Sequence, residues 1–102
     1  MNTIDVTIVR VYFTEAESHL NTLLQRLSEW EKVRGVTVFR GISGFGKSGK
    51  LHTSSLMDIA MDLPVVVEFF DTPEKIEGIL EHLDKMFEPE HVVIWNARMC
   101  VK

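Results

Sequence analysis

Cysteine occurs once in the 102 residues, at Cys100, so no intrachain disulfide can hold the fold and a hydrophobic core must do that work. A lone thiol agrees with a reducing compartment. Positive charge is not in surplus either: the formal net charge is −4, and no Lys/Arg run interleaves with aromatic residues. That leaves no basic field to grip a phosphate backbone, and nucleic acid is not expected as a partner. No apolar run approaches the roughly 20 residues that a spanning helix needs. The N-terminal MNTIDVTIVRVYF has no positive leader before an apolar core and reads as a strand. The expected location is cytoplasmic, without membrane insertion.

Metal-ligand spacing is missing as well. His19, His52, His82 and His91 fall in four different predicted elements, and Met99 and Cys100, as strand neighbours, point to opposite faces. No metal site is expected. What is present is an ordinary globular composition, 45% hydrophobic and 25% charged, in a length that fits one domain over residues 1–102.

Ile4 to Phe13 mixes β-branched and aromatic residues and predicts a first strand, ending at Thr14-x-x-Glu17, which has the form of a capping box. A helix is expected from there. Leu20, Leu23, Leu24, Leu27 and Trp30 recur at helical spacing, leaving Gln25, Arg26 and Glu29 for solvent, with Gly35 as the stop. Val36 to Gly41 predicts a second strand and Leu63 to Phe70 a third, with Pro64 at its beginning. Asp71-Thr72-Pro73 starts a second helix, striped by Ile76, Ile79, Leu80, Leu83 and Phe87, that Pro89 closes; Gly78 inside it costs about 1 kcal/mol relative to Ala. His91 to Val101 predicts the last strand.

The order βαββαβ implies an α+β, ferredoxin-like sandwich: a four-stranded antiparallel sheet with both helices on one face. The other face would be uncovered yet partly apolar, because Ile8, Arg10 and Tyr12 alternate with Val9, Val11 and Phe13. Burying such side chains contributes about 1.5 to 3 kcal/mol each, so a second subunit is expected to pack there.

Between the second and third strands lies a connection at about 42–62, far longer than a hairpin loop. Its first half, Gly41-Ile42-Ser43-Gly44-Phe45-Gly46-Lys47-Ser48-Gly49-Lys50, combines glycines that let amides turn toward an anion with two cations that would meet phosphate oxygens. A mobile, solvated loop is the plain alternative. Gly41, Gly46, Lys47 and Ser48 also satisfy the P-loop pattern. A P-loop must open straight into a helix, however, and Gly49 follows at once, so a small P-loop hydrolase stands only as a rival reading. His52, Thr53, Ser54 and Ser55 suggest a nucleophile, but no acidic orienter is assignable, and hydroxyl-rich loops are common turns. No catalytic residue is assigned and the chain is not read as an enzyme. His52 is a ligand contact or an exposed ring.

Gly35-Val36-Thr37-Val38, Arg40-Gly41, Gly44-Phe45-Gly46 and Gly49 resemble the GxTV…GxGxxxG stretch of PII signalling proteins, in the same place within the same element order. Gly44-Phe45-Gly46-Lys47-Ser48-Gly49-Lys50-Leu51-His52-Thr53 and Asp62-Leu63-Pro64-Val65-Val66-Val67 resemble more closely the PII-like family known as domain of unknown function 190. The resemblance covers nearly the entire chain. It implies a homotrimer with strands packed toward the threefold centre, ligand clefts between subunits, and a T-loop at 42–62 that signals to a partner. The implied effector is an adenine nucleotide, with no obligatory cofactor. Thr37 would contact the nucleoside and Gly44, Gly46, Lys47 and Gly49 the phosphate side. Arg40, Phe45, Ser48, Lys50 and His52 complete that ligand-binding set, and Arg98 is a cation reaching in from the adjoining subunit. The likeness to proteins found beside fluoride-export channels puts a membrane transporter or channel among the implied partners. A ligand-free structural or interaction module is the competing class. One departure stands out: Met86-Phe87-Glu88-Pro89-Glu90 occupies the place of the family's second glycine-rich phosphate loop. Two carboxylates there would repel a polyphosphate, which favours fewer phosphates than ATP carries.

Overall fold

The structure, a computed structural model, describes residues 1–14, 19–45, 52–53 and 63–102. Its sheet elements are β1 (Thr3–Thr14), β2 (Gly35–Arg40), β3 (Ser43–Gly44), β4 (His52–Thr53), β5 (Pro64–Asp71) and β6 (Val92–Cys100). The helices are α1 (Leu20–Gln25), continued by a π-helical turn over Arg26–Trp30, and α2 (Pro73–His82), with short 3₁₀ turns at Asp84–Met86 and Pro89–His91. Four strands form one sheet in the order β2-β5-β1-β6, and every pairing is antiparallel. This is the expected ferredoxin-like α+β arrangement, and an antiparallel sheet removes the parallel framework on which a P-loop reading depends.

Strand alternation decides what is buried. Val9, Val11 and Phe13 of β1 face Phe69, Val67 and Val65 of β5 across the ladder, and all six join Leu23, Leu27, Ile76, Ile79 and Leu83 in one sealed core beneath the helices. α2 begins where the sequence places it: Pro73 opens it, and the Thr72 hydroxyl accepts from the Lys75 N–H at 3.4 Å.

Three local expectations are corrected. Trp30 is not part of the apolar stripe but 73% exposed, because the π-helical turn rotates it off the core face, and the Arg26 guanidinium lies 6.0 Å from its ring. Gly35 does not end the helix. Lys32 does, taking a left-handed φ of 53°, and Gly35 is already in β2, where a side chain would begin 2.5 Å from the Phe70 ring. α2 ends at His82, so Leu83 is buried just past the helix and Phe87 packs from the following turn. The capping box at 14–17 lies mostly outside the described residues; Thr14 itself still belongs to β1, and the described part of α1 starts at Leu20.

One end of this assembly is tied by charge. Asp71, 3% exposed at the end of β5, accepts from the Thr72 N–H at 2.7 Å and the Arg34 N–H at 3.1 Å and pairs with Lys75 at 3.3 Å. Lys75 also donates to the Lys32 carbonyl at 2.7 Å, fastening the left-handed turn to α2. Burial pushes the Asp71 carboxyl up, but those hydrogen bonds and the Lys75 charge outweigh it and hold it below the usual carboxylate range.

Candidate functional site

The opposite end of the sheet, where β2 and β1 finish and β5 and β6 start, carries the glycine-rich segment. β2 hands over to it at Gly41, whose N–H donates to the Pro64 carbonyl at 2.7 Å. A Cβ at Gly41 would lie 2.6 Å from the Pro64 ring and one at Gly44 3.3 Å from it, so glycine is what lets the chain leave the sheet so close to β5. The long connection then has a base that the sequence did not signal: β3 and β4 pair antiparallel, Ser43 with Thr53 and Gly44 with His52. Phe45, directly after it, is 74% exposed. Residues 46–51 and 54–62, including Gly46, Lys47, Ser48, Gly49, Lys50, Ser54, Ser55 and the run from Leu56 to Ala60, lie outside the described residues.

Of the remaining ligand-binding candidates, Thr37 is exposed on β2 with its side chain on the face away from the helices, opposite Glu68, and Arg40 is exposed at the end of the same strand, opposite Val65. Gly44, Phe45 and the main chain of His52 gather at the foot of the connection. Arg98 does not join them. It pairs with Asp5, five residues along β1 from Arg10, which lies in the cross-sheet row of Thr37, and so sits about 17 Å away along the strands, on the other face. Within one chain these residues cannot share a ligand.

The row through Thr37 holds what sequence reading overlooked. On the open face Thr37, Glu68, Arg10 and Val93 lie side by side across β2, β5, β1 and β6. Arg10 donates from Nε to Glu68 Oε1 at 2.7 Å, and its guanidinium is flanked by the Phe39 ring at 5.9 Å and the Trp95 ring at 5.4 Å. Glu68, and then Tyr12, hold Arg10 more firmly protonated than an isolated arginine. A charged pair set within strands otherwise rich in valine and isoleucine was the available signal. The two residues are 58 positions apart, so their meeting required the register.

A second feature lies at the same end of the sheet, beyond β1 on the β6 side. A hollow of about 340 Å³ is lined by Val11, Tyr12, Phe13, His19, Lys85, Met86, Phe87, Glu88 and His91. His19 is stacked on Phe13 with ring centroids 5.9 Å apart. β1 is two strand spacings from β2, so the hollow and the glycine-rich foot are at least about 10 Å apart in one chain. Among the described residues, no group of three or more His, Cys, Asp or Glu could hold a metal ion.

Fold and element order are shared with PII-like proteins of known structure. CPII of Thiomonas intermedia K12, a nitrogen regulatory PII-like protein bound to ADP, AMP and bicarbonate, superposes with a TM-score of 0.73 at 20% identity, over 96% of this chain and 91% of that one. The same protein with ADP, AMP and acetate gives a TM-score of 0.60 at 18% identity, over 100% and 93%. The family described as an uncharacterized ACR, DUF190, matches residues 6–99, and the chain belongs to it. A UPF0166 protein of Aquifex aeolicus is 35% identical over 88 residues, 81% of this chain and 83% of its relative. The resemblance read from Gly35-Val36-Thr37-Val38 and the Gly44–Thr53 stretch is therefore correct as to family and fold. No helix among the described residues is long and apolar enough to cross a membrane.

Proposed function

We propose that this protein is a PII-like regulator that binds an adenine nucleotide in clefts between the subunits of a homotrimer and signals through the 42–62 connection to a partner, a membrane transporter or channel. The observation that carries the reading is the division of the ligand set. Thr37, Arg40, Gly44 and Phe45 lie at the β2 edge, while Arg98 is on β6 at the opposite edge, about 17 Å along the strands from the Thr37 row. A neighbouring subunit is what would bring such an arginine to the cleft. The uncovered sheet face supplies the contact surface, with Tyr12, Phe39, Val93 and Trp95 around the Arg10–Glu68 pair. CPII, of the same fold, holds ADP and AMP. Glu88 and Glu90, exposed on the turn before β6, favour a monophosphate over ATP. No step of catalysis is assigned.

Calorimetry of the purified chain against AMP, ADP and ATP tests the ligand. Saturable heat, strongest for AMP and lost in Lys47→Ala, is expected; a flat trace for all three would leave a ligand-free interaction module as the better account. Native mass spectrometry on the same sample should show three subunits.

A further inference from the structure

The open face of the sheet carries charge at a single point. Of the side chains that the four strands direct to that face, only Arg10 and Glu68 are charged, and Tyr12, Phe39, Val66, Val93 and Trp95 stand around them. The two sit at mid-sheet, on the adjacent inner strands β1 and β5. Arg10 is also held in position, with its guanidinium 5.9 Å from the Phe39 ring and 5.4 Å from the Trp95 ring. A cation fixed in this way loses little further freedom when a surface closes over it.

The pair is unfinished. Its hydrogen bond engages Glu68 Oε1 and Arg10 Nε, which is one of five guanidinium N–H donors, and the two side chains keep 23% and 40% of their surface accessible. Glu68 Oε2 and further Arg10 donors are left for a partner outside the chain. A purely apolar cover, such as lipid or an aliphatic helix, would bury those groups unmatched, at a cost that the attraction within the pair does not offset. Whatever covers this face must bring an acceptor and a donor to the same spot. A second copy of this chain does so by symmetry, because its own Glu68 and Arg10 lie side by side in the middle of an equally apolar face.

We propose that Arg10 and Glu68 pair between subunits as well as within each one: Arg10 Nη donates to Glu68 Oε2 of the neighbouring copy, and repetition around a closed ring leaves every charge matched. The apolar surround supplies the affinity, and the charges fix which way the faces meet. This inference deepens the self-association in the reading above and rests on it, but is independent of any nucleotide.

The test is native mass spectrometry and light scattering on Arg10→Glu, on Glu68→Arg and on their equal mixture, in about 150 mM salt, where charges more than about 8 Å apart are largely screened. Each single variant should be mainly monomeric, since like charges then face each other at every contact. Both have lost the internal pair, so only contacts between chains can restore assembly, and the mixture should give 2:1 and 1:2 trimers that contain both chains. Circular dichroism reports whether each variant is folded. Should a charge reversal fail to fold, Arg10→Gln and Glu68→Gln take its place: each should weaken association at least about 30-fold, as truncating one partner of a buried charge pair does, and the double variant should lose less than the two effects combined. A wild-type trimer with single variants that assemble as readily, or a mixture without joint complexes, overturns the pairing and leaves the trimer in place. A wild-type dimer whose variants are still rescued by mixing overturns the trimer and leaves the pairing. A monomeric wild type overturns both.

Discussion

On the side of the sheet covered by α1 and α2, Val9, Val11, Phe13, Val65, Val67 and Phe69 are sealed, whereas on the other side Tyr12, Phe39, Val93 and Trp95 remain 38–47% exposed around Arg10 and Glu68. Both faces are drawn from the same strands and largely the same residue types. β5 shows it residue by residue, since its burial alternates strictly from Pro64 to Asp71. What separates the faces is only what lies over them. The covered face is therefore where the isolated chain gains its stability, and the open face holds apolar surface that a neighbour could still remove from water.

The strongest way to break the covered side is Phe69→Ala. Phe69 is fully buried in the middle of the core, and truncation should cost about 3 to 5 kcal/mol, read as a fall in the urea midpoint. The corresponding attack on the open side is Trp95→Asp. It should leave the far-ultraviolet circular dichroism unchanged while converting the proposed trimer to monomers in light scattering, because each aromatic kept out of water there contributes about 1.5 to 3 kcal/mol to association. A trimer that survives the substitution would move the interface off this face.

The covered side also ends in a charged anchor, and the third expected effect belongs to it. Asp71 is held ionised by Thr72, Lys75 and Arg34 despite its burial. A carboxyl depressed in the folded state contributes stability that is complete above its unfolded value and is lost as pH falls through the folded one. Unfolding free energy should therefore decline below about pH 4, and Asp71→Asn should flatten that decline. At neutral pH the same variant should lose about 1 to 3 kcal/mol, since Lys75 and the Arg34 N–H keep poorer partners.

Much of this architecture was readable in advance because its signals are local. The β-branched runs located β1, β2, β5 and β6 to within a residue at either end, and Thr72-Pro73 located the start of α2. Trp30 went astray because its spacing fits an α-helical stripe and only the π-helical turn displaces it. Lys32 went astray because a left-handed residue is ordinarily expected to be glycine, and here the Lys75 hydrogen bond to its carbonyl helps fix a non-glycine turn. The candidate site was legible as a segment, Gly41 to Phe45, but not as a place. The β3–β4 base has only two residues on each strand, too few for a periodic signal. The Arg10 cluster and the hollow unite residues from opposite parts of the chain, and nothing short of the register shows that they meet.

Gly78→Ala should have the smallest effect and the opposite sign, and it separates glycines that the fold requires from those it only tolerates. In the middle of α2, Gly78 leaves backbone entropy to be lost on folding, and an added Cβ meets nothing within 4 Å. Alanine should stabilise the chain by about 0.5 to 1 kcal/mol, seen as a small rise in Tm with no change in the AMP response. Gly35→Ala is the control: its Cβ would stand 2.5 Å from the Phe70 ring on the open face, so it should destabilise the chain. If Gly78→Ala instead lowers Tm only in the assembled protein, that position of α2 is covered by a neighbour, and the division between a finished helical side and an unfinished sheet side would have to be redrawn.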